Sequence, residues 1–280
     1  MAEQEGDGYA DSVVSEDGTR IAYLTTGLGP GVIVVPGVLS VARGYTRFAE
    51  ALATAFTVHT IERRGHGGSG PQRPDHSIED DCADLRALQD ETGAAFVVGH
   101  GYGALVALEA ARSNPVVRKV AVYEPALSVN GSMPTAWMGP YEKYLAQGKP
   151  LDAFVEFVRA IGPEGMRKVP RWMFRRMLPR FMQASDTDTV IGQLPQNLTE
   201  HRQYVRLDGT YRNYAEITAE VLLLDGDRDR REWTASEQGL LASVIPHCER
   251  ATVPGLDHFG IDKGDPERVA EVVGEFLSRS

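Results

Sequence analysis

The run Phe96-Val97-Val98-Gly99-His100-Gly101-Tyr102-Gly103-Ala104 has the spacing of a strand, a sharp turn and a helix start, the elbow Gly-x-Ser-x-Gly that presents a nucleophile. Gly99 and Gly103 supply the two flanking glycines, which a strained turn of this kind needs because only tiny neighbours avoid a clash at its apex. At the apex itself stands Gly101, which has no side chain. Two further segments carry groups able to move protons. Val221-Leu222-Leu223-Leu224-Asp225-Gly226-Asp227-Arg228-Asp229 places carboxylates just past an apolar strand, and Val253-Pro254-Gly255-Leu256-Asp257-His258-Phe259 places an imidazole in the loop after another. Strand ends in a parallel sheet converge on one crevice, so segments this far apart in the chain can meet there.

The elements that must position these residues follow from hydrophobic periodicity. Val13-Val14-Ser15 and Arg20 to Leu24 flank Glu16-Asp17-Gly18-Thr19, whose Asp-Gly pair predicts a hairpin. Val32 to Val35, Thr57 to Ile61, Phe96 to Val98 and Val120 to Tyr123 are short apolar runs separated by helix-like stretches at Tyr45 to Ala53, Ile78 to Thr92 and Ala104 to Ala111. Strands buried on both faces and alternating with helices predict a mostly parallel sheet with helices on both faces. After Glu124-Pro125 the rhythm stops until Val221, and the intervening residues read as helices, including Leu151 to Val158 and Arg171 to Met182. The expected organisation is therefore a core over residues 1–129, a helical lid or cap over 130–220 and a second core segment over 221–280. That last segment holds a helix near Trp233 to Ala242, the strand Arg250 to Val253 and a closing helix from Pro266 to Leu277.

With Gly31 to Pro125 and Val221 to the C-terminus so arranged, the chain resembles the α/β-hydrolase superfamily. Glu62-Arg63-Arg64-Gly65-His66-Gly67-Gly68-Ser69 is similar to that family's acid-x-Arg-Gly-His-Gly-x-Ser turn, and Pro36-Gly37-Val38 to its oxyanion loop, with Pro36 where histidine is usual. In the family the chain order is nucleophile, acid, base. The resemblance thus implies His258 as general base and Asp229 as its acid, with Asp227 and Glu124 as alternative acids. It also implies backbone N–H groups of Val38 and Tyr102 as oxyanion donors. His100 and Tyr102 flank the apex and should both point away from it. In a serine protease, loss of the serine costs roughly 10⁶ in turnover. An ordinary covalent mechanism is therefore not expected here.

What remains is a base, an oxyanion hole and a void. The leading expectation is an enzyme acting on an apolar carbonyl- or ester-containing small molecule without a covalent serine intermediate. It would work by water-activated hydrolysis, or by proton transfer of the lyase, isomerase or cyclase kind. The alternatives are a catalytically silent binding protein or receptor, and a nucleophile-knockout form of an ordinary serine hydrolase.

Charge and composition narrow the partners. A formal charge of −10 over 280 residues argues against nucleic acid. Cys82 and Cys248 have no metal-ligand spacing, so reduced thiols, no metal and no cofactor are expected. The acidic start Met1 to Asp7 lacks an apolar core, and no apolar run is long enough to span a bilayer, which predicts a cytoplasmic protein. His66, Arg63 and Arg64 are expected to brace a turn, and His59, His76, His201 and His247 to be structural or exposed. In the lid, Arg167, Lys168, Arg171, Arg175, Arg176 and Arg180 read as a solvated face that could also steer an anionic substrate or an acidic carrier protein. Trp172, Met173, Phe174, Met177 and Phe181 read as packing residues, of which Trp172, Phe174 and Met177 could line an apolar pocket.

Overall fold

A computed structural model describes residues 11–162, 168–181, 184–228 and 232–279. Contacts divide the chain into two units, one formed by Met1–Leu127 with Thr210–Ser280 and one by Ser128–Gly209.

The first unit is built on a sheet that has eight strands among the described residues: β1 (Asp11–Val14), β2 (Arg20–Thr26), β3 (Gly31–Val35), β4 (Thr57–Ile61), β5 (Phe96–His100), β6 (Lys119–Tyr123), β7 (Glu220–Gly226) and β8 (Cys248–Val253). Their spatial order is β1-β2-β4-β3-β5-β6-β7-β8. β1 and β2 pair antiparallel, as do β2 and β4, and every other pair is parallel. β5 and β6 are buried at every residue, which is why they read as continuous apolar runs. β1 is mostly exposed at the sheet's edge.

Alternation along the strands divides the core into two faces. Val32, Val34, Val58, Val98, Ala121, Leu222, Leu224 and Val253 pack with Phe48 and Leu52 of α1 (Thr46–Leu52) and with Val269, Val273 and Phe276 near the C-terminus. α2 (Ile78–Thr92) and α3 (Tyr102–Ser113) pack against each other and against β3. α2 starts where the Asp80 carboxylate accepts the Ser77 N–H, and it ends on Gly93 in the left-handed region.

The second unit contains α4 (Met138–Ala146), α5 (Pro150–Ile161), α6 (Arg171–Phe181), α7 (Ala184–Gly192) and α8 (Leu194–Arg206). Trp137, Phe157 and His201 meet edge to face with centroids 5.0–5.1 Å apart. His201 is thus a core residue, its Nδ1 on the Asn197 carbonyl. The unit ends at Gly209, ten residues short of the strand that begins at Glu220. Thr210–Glu216 is a short helical turn of the first unit, where the buried Tyr214 hydroxyl donates to Glu109 of α3.

α6 corrects one expectation. Phe174 is buried while Trp172 is 71% exposed and Met177 37%. Residues two apart on a helix stand about 200° apart and residues three apart only about 60°, so Trp172 falls off the face that Phe174 and Met177 share. The first unit resumes with β7, α9 (Glu232–Val244), β8 and α10 (Pro266–Ser278).

Candidate active site

The elbow forms where β5 hands over to α3. Gly101 has φ 54° and ψ −111°, and its N–H donates to the Tyr123 carbonyl on β6. The flanking glycines are dictated by steric contact: a Cβ on Gly99 would strike the Gly103 carbonyl and Ala104, and one on Gly103 would strike the Val35 and Pro36 carbonyls. Position 101 differs. A Cβ there would meet His258 Cε1 at 3.4 Å and Nε2 at 3.6 Å, which are ordinary contacts. The apex therefore has room for a side chain, and that room faces the histidine.

His258 lies in the loop after β8, partly buried. Its Nδ1 is 3.0 Å from Glu124 Oε2. A carboxylate only accepts, so the ring hydrogen sits on Nδ1 and the Nε2 lone pair is left facing the apex. Glu124 follows β6 directly, with φ 44°, a conformation that costs a non-glycine residue energy and turns the carboxylate towards the base. Its other oxygen, Oε1, accepts the Gly226 N–H at 3.2 Å from the end of β7. Among the described residues the carboxylate bonded to His258 is thus Glu124, one of the two alternatives. Asp227 is exposed and spends its Oδ1 on the Gly255 N–H at 2.6 Å, which braces the loop before His258. Asp229, the first choice from the sequence, lies outside the described residues.

The loop after β3 is held from two sides. The Gly37 N–H donates to Tyr45 Oη at 2.9 Å, and the Gly37 carbonyl accepts from the Arg63 guanidinium at 2.7 Å. Val38 is half-buried, and the next residue, Leu39, is held at φ 54°. The Tyr102 amide lies in the first turn of α3, at the positive end of the helix dipole. Neither flanking side chain can replace the missing nucleophile. The His100 ring is buried against Tyr45, and the Tyr102 hydroxyl donates to Asp81 Oδ2 at 2.8 Å, beneath the Arg63 guanidinium.

The charged turn after β4 braces this frame. Arg64 joins Asp84 on α2 to Asp17 in the hairpin, with 2.8 Å contacts from Nε to Asp84 and from Nη1 to Asp17. The His66 imidazole is pushed down to about 3 by burial and then by neighbouring Arg63, so it remains neutral. Sequence reasoning missed Tyr45, Gly226 and Asp262. Asp262 is buried four residues past His258, and burial raises its carboxyl to about 6.

The comparisons agree with this architecture. The family described as "Alpha/beta hydrolase family" matches residues 32–272. An alpha/beta hydrolase from Sphaerobacter thermophilus is 30% identical, with 96% of this chain and 100% of that one covered and a TM-score of 0.81. N-formylmaleamate deformylase of Pseudomonas putida is 32% identical over 124 residues, which is 42% of this chain and 46% of that enzyme, so the match spans less than half of either. 2-(Acetamidomethylene)succinate hydrolase of Mesorhizobium japonicum is 22% identical over 254 residues, 90% of this chain and 89% of that one. By its sheet order, its elbow and the extent of these matches, the chain belongs to the alpha/beta hydrolase family.

Proposed function

We propose that the chain is a hydrolase of a small carbonyl compound, an ester or activated amide, in which His258 activates water directly instead of a serine. The observation that carries this reading is the space at Gly101, where a Cβ would meet nothing beyond the adjoining residues closer than His258 Cε1 at 3.4 Å and Nε2 at 3.6 Å. A water molecule there would occupy the place of a serine hydroxyl, within hydrogen-bond reach of the base. Nε2 takes a proton from the water, whose oxygen attacks the carbonyl carbon. The negative charge that develops on the carbonyl oxygen is met by the Val38 and Tyr102 amides. The imidazolium, steadied by Glu124, returns the proton to the leaving group, and no bond to the protein forms.

The relatives named as a deformylase and a hydrolase favour hydrolysis over isomerisation or elimination. The helical unit inserted between β6 and β7 is proposed to act as a cap that selects an apolar substrate. No helix among the described residues is long and apolar enough to cross a membrane.

Turnover of short-chain p-nitrophenyl esters tests the reading. The native chain should hydrolyse them slowly, His258→Ala should lose that activity by at least about 100-fold, and Gly101→Ser should gain a faster route. Native protein that is folded yet inactive on esters and amides alike would overturn it.

A further inference from the structure

His100, the residue just before the empty apex, sits at the centre of a buried polar chain that joins the two loops the reaction needs. Its Nε2 lies 2.9 Å from the His258 carbonyl oxygen, and its Nδ1 lies 2.6 Å from Tyr45 Oη. A carbonyl can only accept, so the ring hydrogen on that side is on Nε2. A neutral ring then accepts the Tyr45 hydroxyl hydrogen on Nδ1. Tyr45 Oη in turn accepts the Gly37 N–H. With a neutral ring the directions run His100 to the base loop, Tyr45 to His100, Gly37 to Tyr45.

Packing reinforces the hydrogen bonds. The His100 and His258 rings lie 4.6 Å apart between centroids, tilted by 43°, so the lower ring limits how far the base can tip. A Cβ at Gly37 would come within 3.1 Å of His100 Nδ1 and 3.2 Å of the His100 carbonyl, which explains glycine at that position. Tyr45 is fully buried and His100 nearly so, leaving little water to replace a lost partner.

We infer that His100 is a positioning residue that, through Tyr45, sets the base loop and the oxyanion loop in register with each other. A base and an oxyanion hole act on the same carbonyl, so their separation has to be held to a fraction of an ångström. Displacement by 1 Å can cost on the order of 100-fold in rate. In the native chain the inference rests on the proposed water-activated reaction. In a Gly101→Ser background it does not, because a serine there would use the same base and the same hole.

The experiment measures kcat and KM for p-nitrophenyl acetate in the native chain and in Gly101→Ser, each carrying His100→Leu, His100→Gln, Tyr45→Phe and the two pairings with Tyr45→Phe. His100→Leu should lower kcat by about 10- to 100-fold while KM stays within about twofold. His100→Gln, which can still donate to the His258 carbonyl, should recover much of that loss. Tyr45→Phe should cost less than His100→Leu, and adding it to His100→Leu should cost nothing more, because the link is already cut, whereas adding it to His100→Gln, which keeps the link, should cost about what Tyr45→Phe costs alone. Should His100→Leu fail to fold, the pair His100→Gln with and without Tyr45→Phe decides the same point.

The inference is overturned if the His100→Leu and Tyr45→Phe losses multiply, if kcat and KM shift together, or if His100→Leu keeps its kcat. Activity in the Gly101→Ser series without any in the native series would refute only the water-activated reading. A folded Gly101→Ser protein with no esterase activity would refute both.

Discussion

The ends of β6 and β7 lie side by side, each with a carboxylate to offer, and they use their residues in opposite ways. Just past β6, Glu124 is held at φ 44° with its carboxylate bonded to His258 and to the Gly226 amide. β7 ends on Gly226, whose contribution to the site is a backbone N–H, while Asp227 beyond it turns outward to hold Gly255. Backbone strain accompanies the carboxylate that bonds His258, and an unstrained exposed turn accompanies the bracing one. A carboxylate becomes the partner of the base through the backbone that aims it, not through being past a strand end.

That contrast can be broken at several points. Glu124→Gln keeps the shape but lets the His258 tautomer reverse, and by analogy with the triad aspartate it should lower kcat by about 10³- to 10⁴-fold, read from steady-state ester hydrolysis. Asp229→Asn should remain within a few-fold of native in the same assay; a loss matching that of Glu124→Gln would move the acid to β7. Gly226→Ala places a Cβ against the Leu256 carbonyl, a backbone atom that cannot swing aside. It should cost about 3 kcal/mol in a denaturant titration and disturb Glu124 as well.

Asp262 sharpens the comparison through pH. Burial raises its carboxyl from 3.8 to about 6, so the folded chain holds that proton more tightly than the unfolded chain does. Its contribution to stability is complete below about pH 4 and is lost as pH rises through about 6, by no more than about 3 kcal/mol. Asp262→Asn should therefore raise the thermal midpoint at pH 7 and leave it nearly unchanged at pH 4. The smallest effect is expected for Asp227→Asn. It retains an acceptor for Gly255 and should shift stability by under about 1 kcal/mol, with activity within about twofold.

Much of the fold was legible because interior strands such as Phe96–His100 and Lys119–Tyr123 are covered on both faces, so burial writes itself as an unbroken apolar run. The hairpin was marked by Asp17-Gly18, with Gly18 at φ 86°. In the site, Gly99 and Gly103 were readable because steric demand at a turn names its residue. The place of His258 in the loop after the last strand was readable from chain order. The bond from Glu124 to His258 was not, since aim depends on one φ angle and on an amide 102 residues away. Tyr45 was hidden for a similar reason: in the sequence it is an aromatic in a helix-like stretch, and its partner His100 is 55 residues distant. Trp172 and Phe174 looked alike by type and were separated only by the face of α6 on which each falls.

The central claim is that His258 drives hydrolysis with no bond to the protein. Intact-protein mass spectrometry on samples acid-quenched during p-nitrophenyl acetate turnover tests it most directly. Native protein releasing nitrophenol should carry no acetyl group, while Gly101→Ser should carry one. An acetyl adduct on the native chain during turnover would contradict the account.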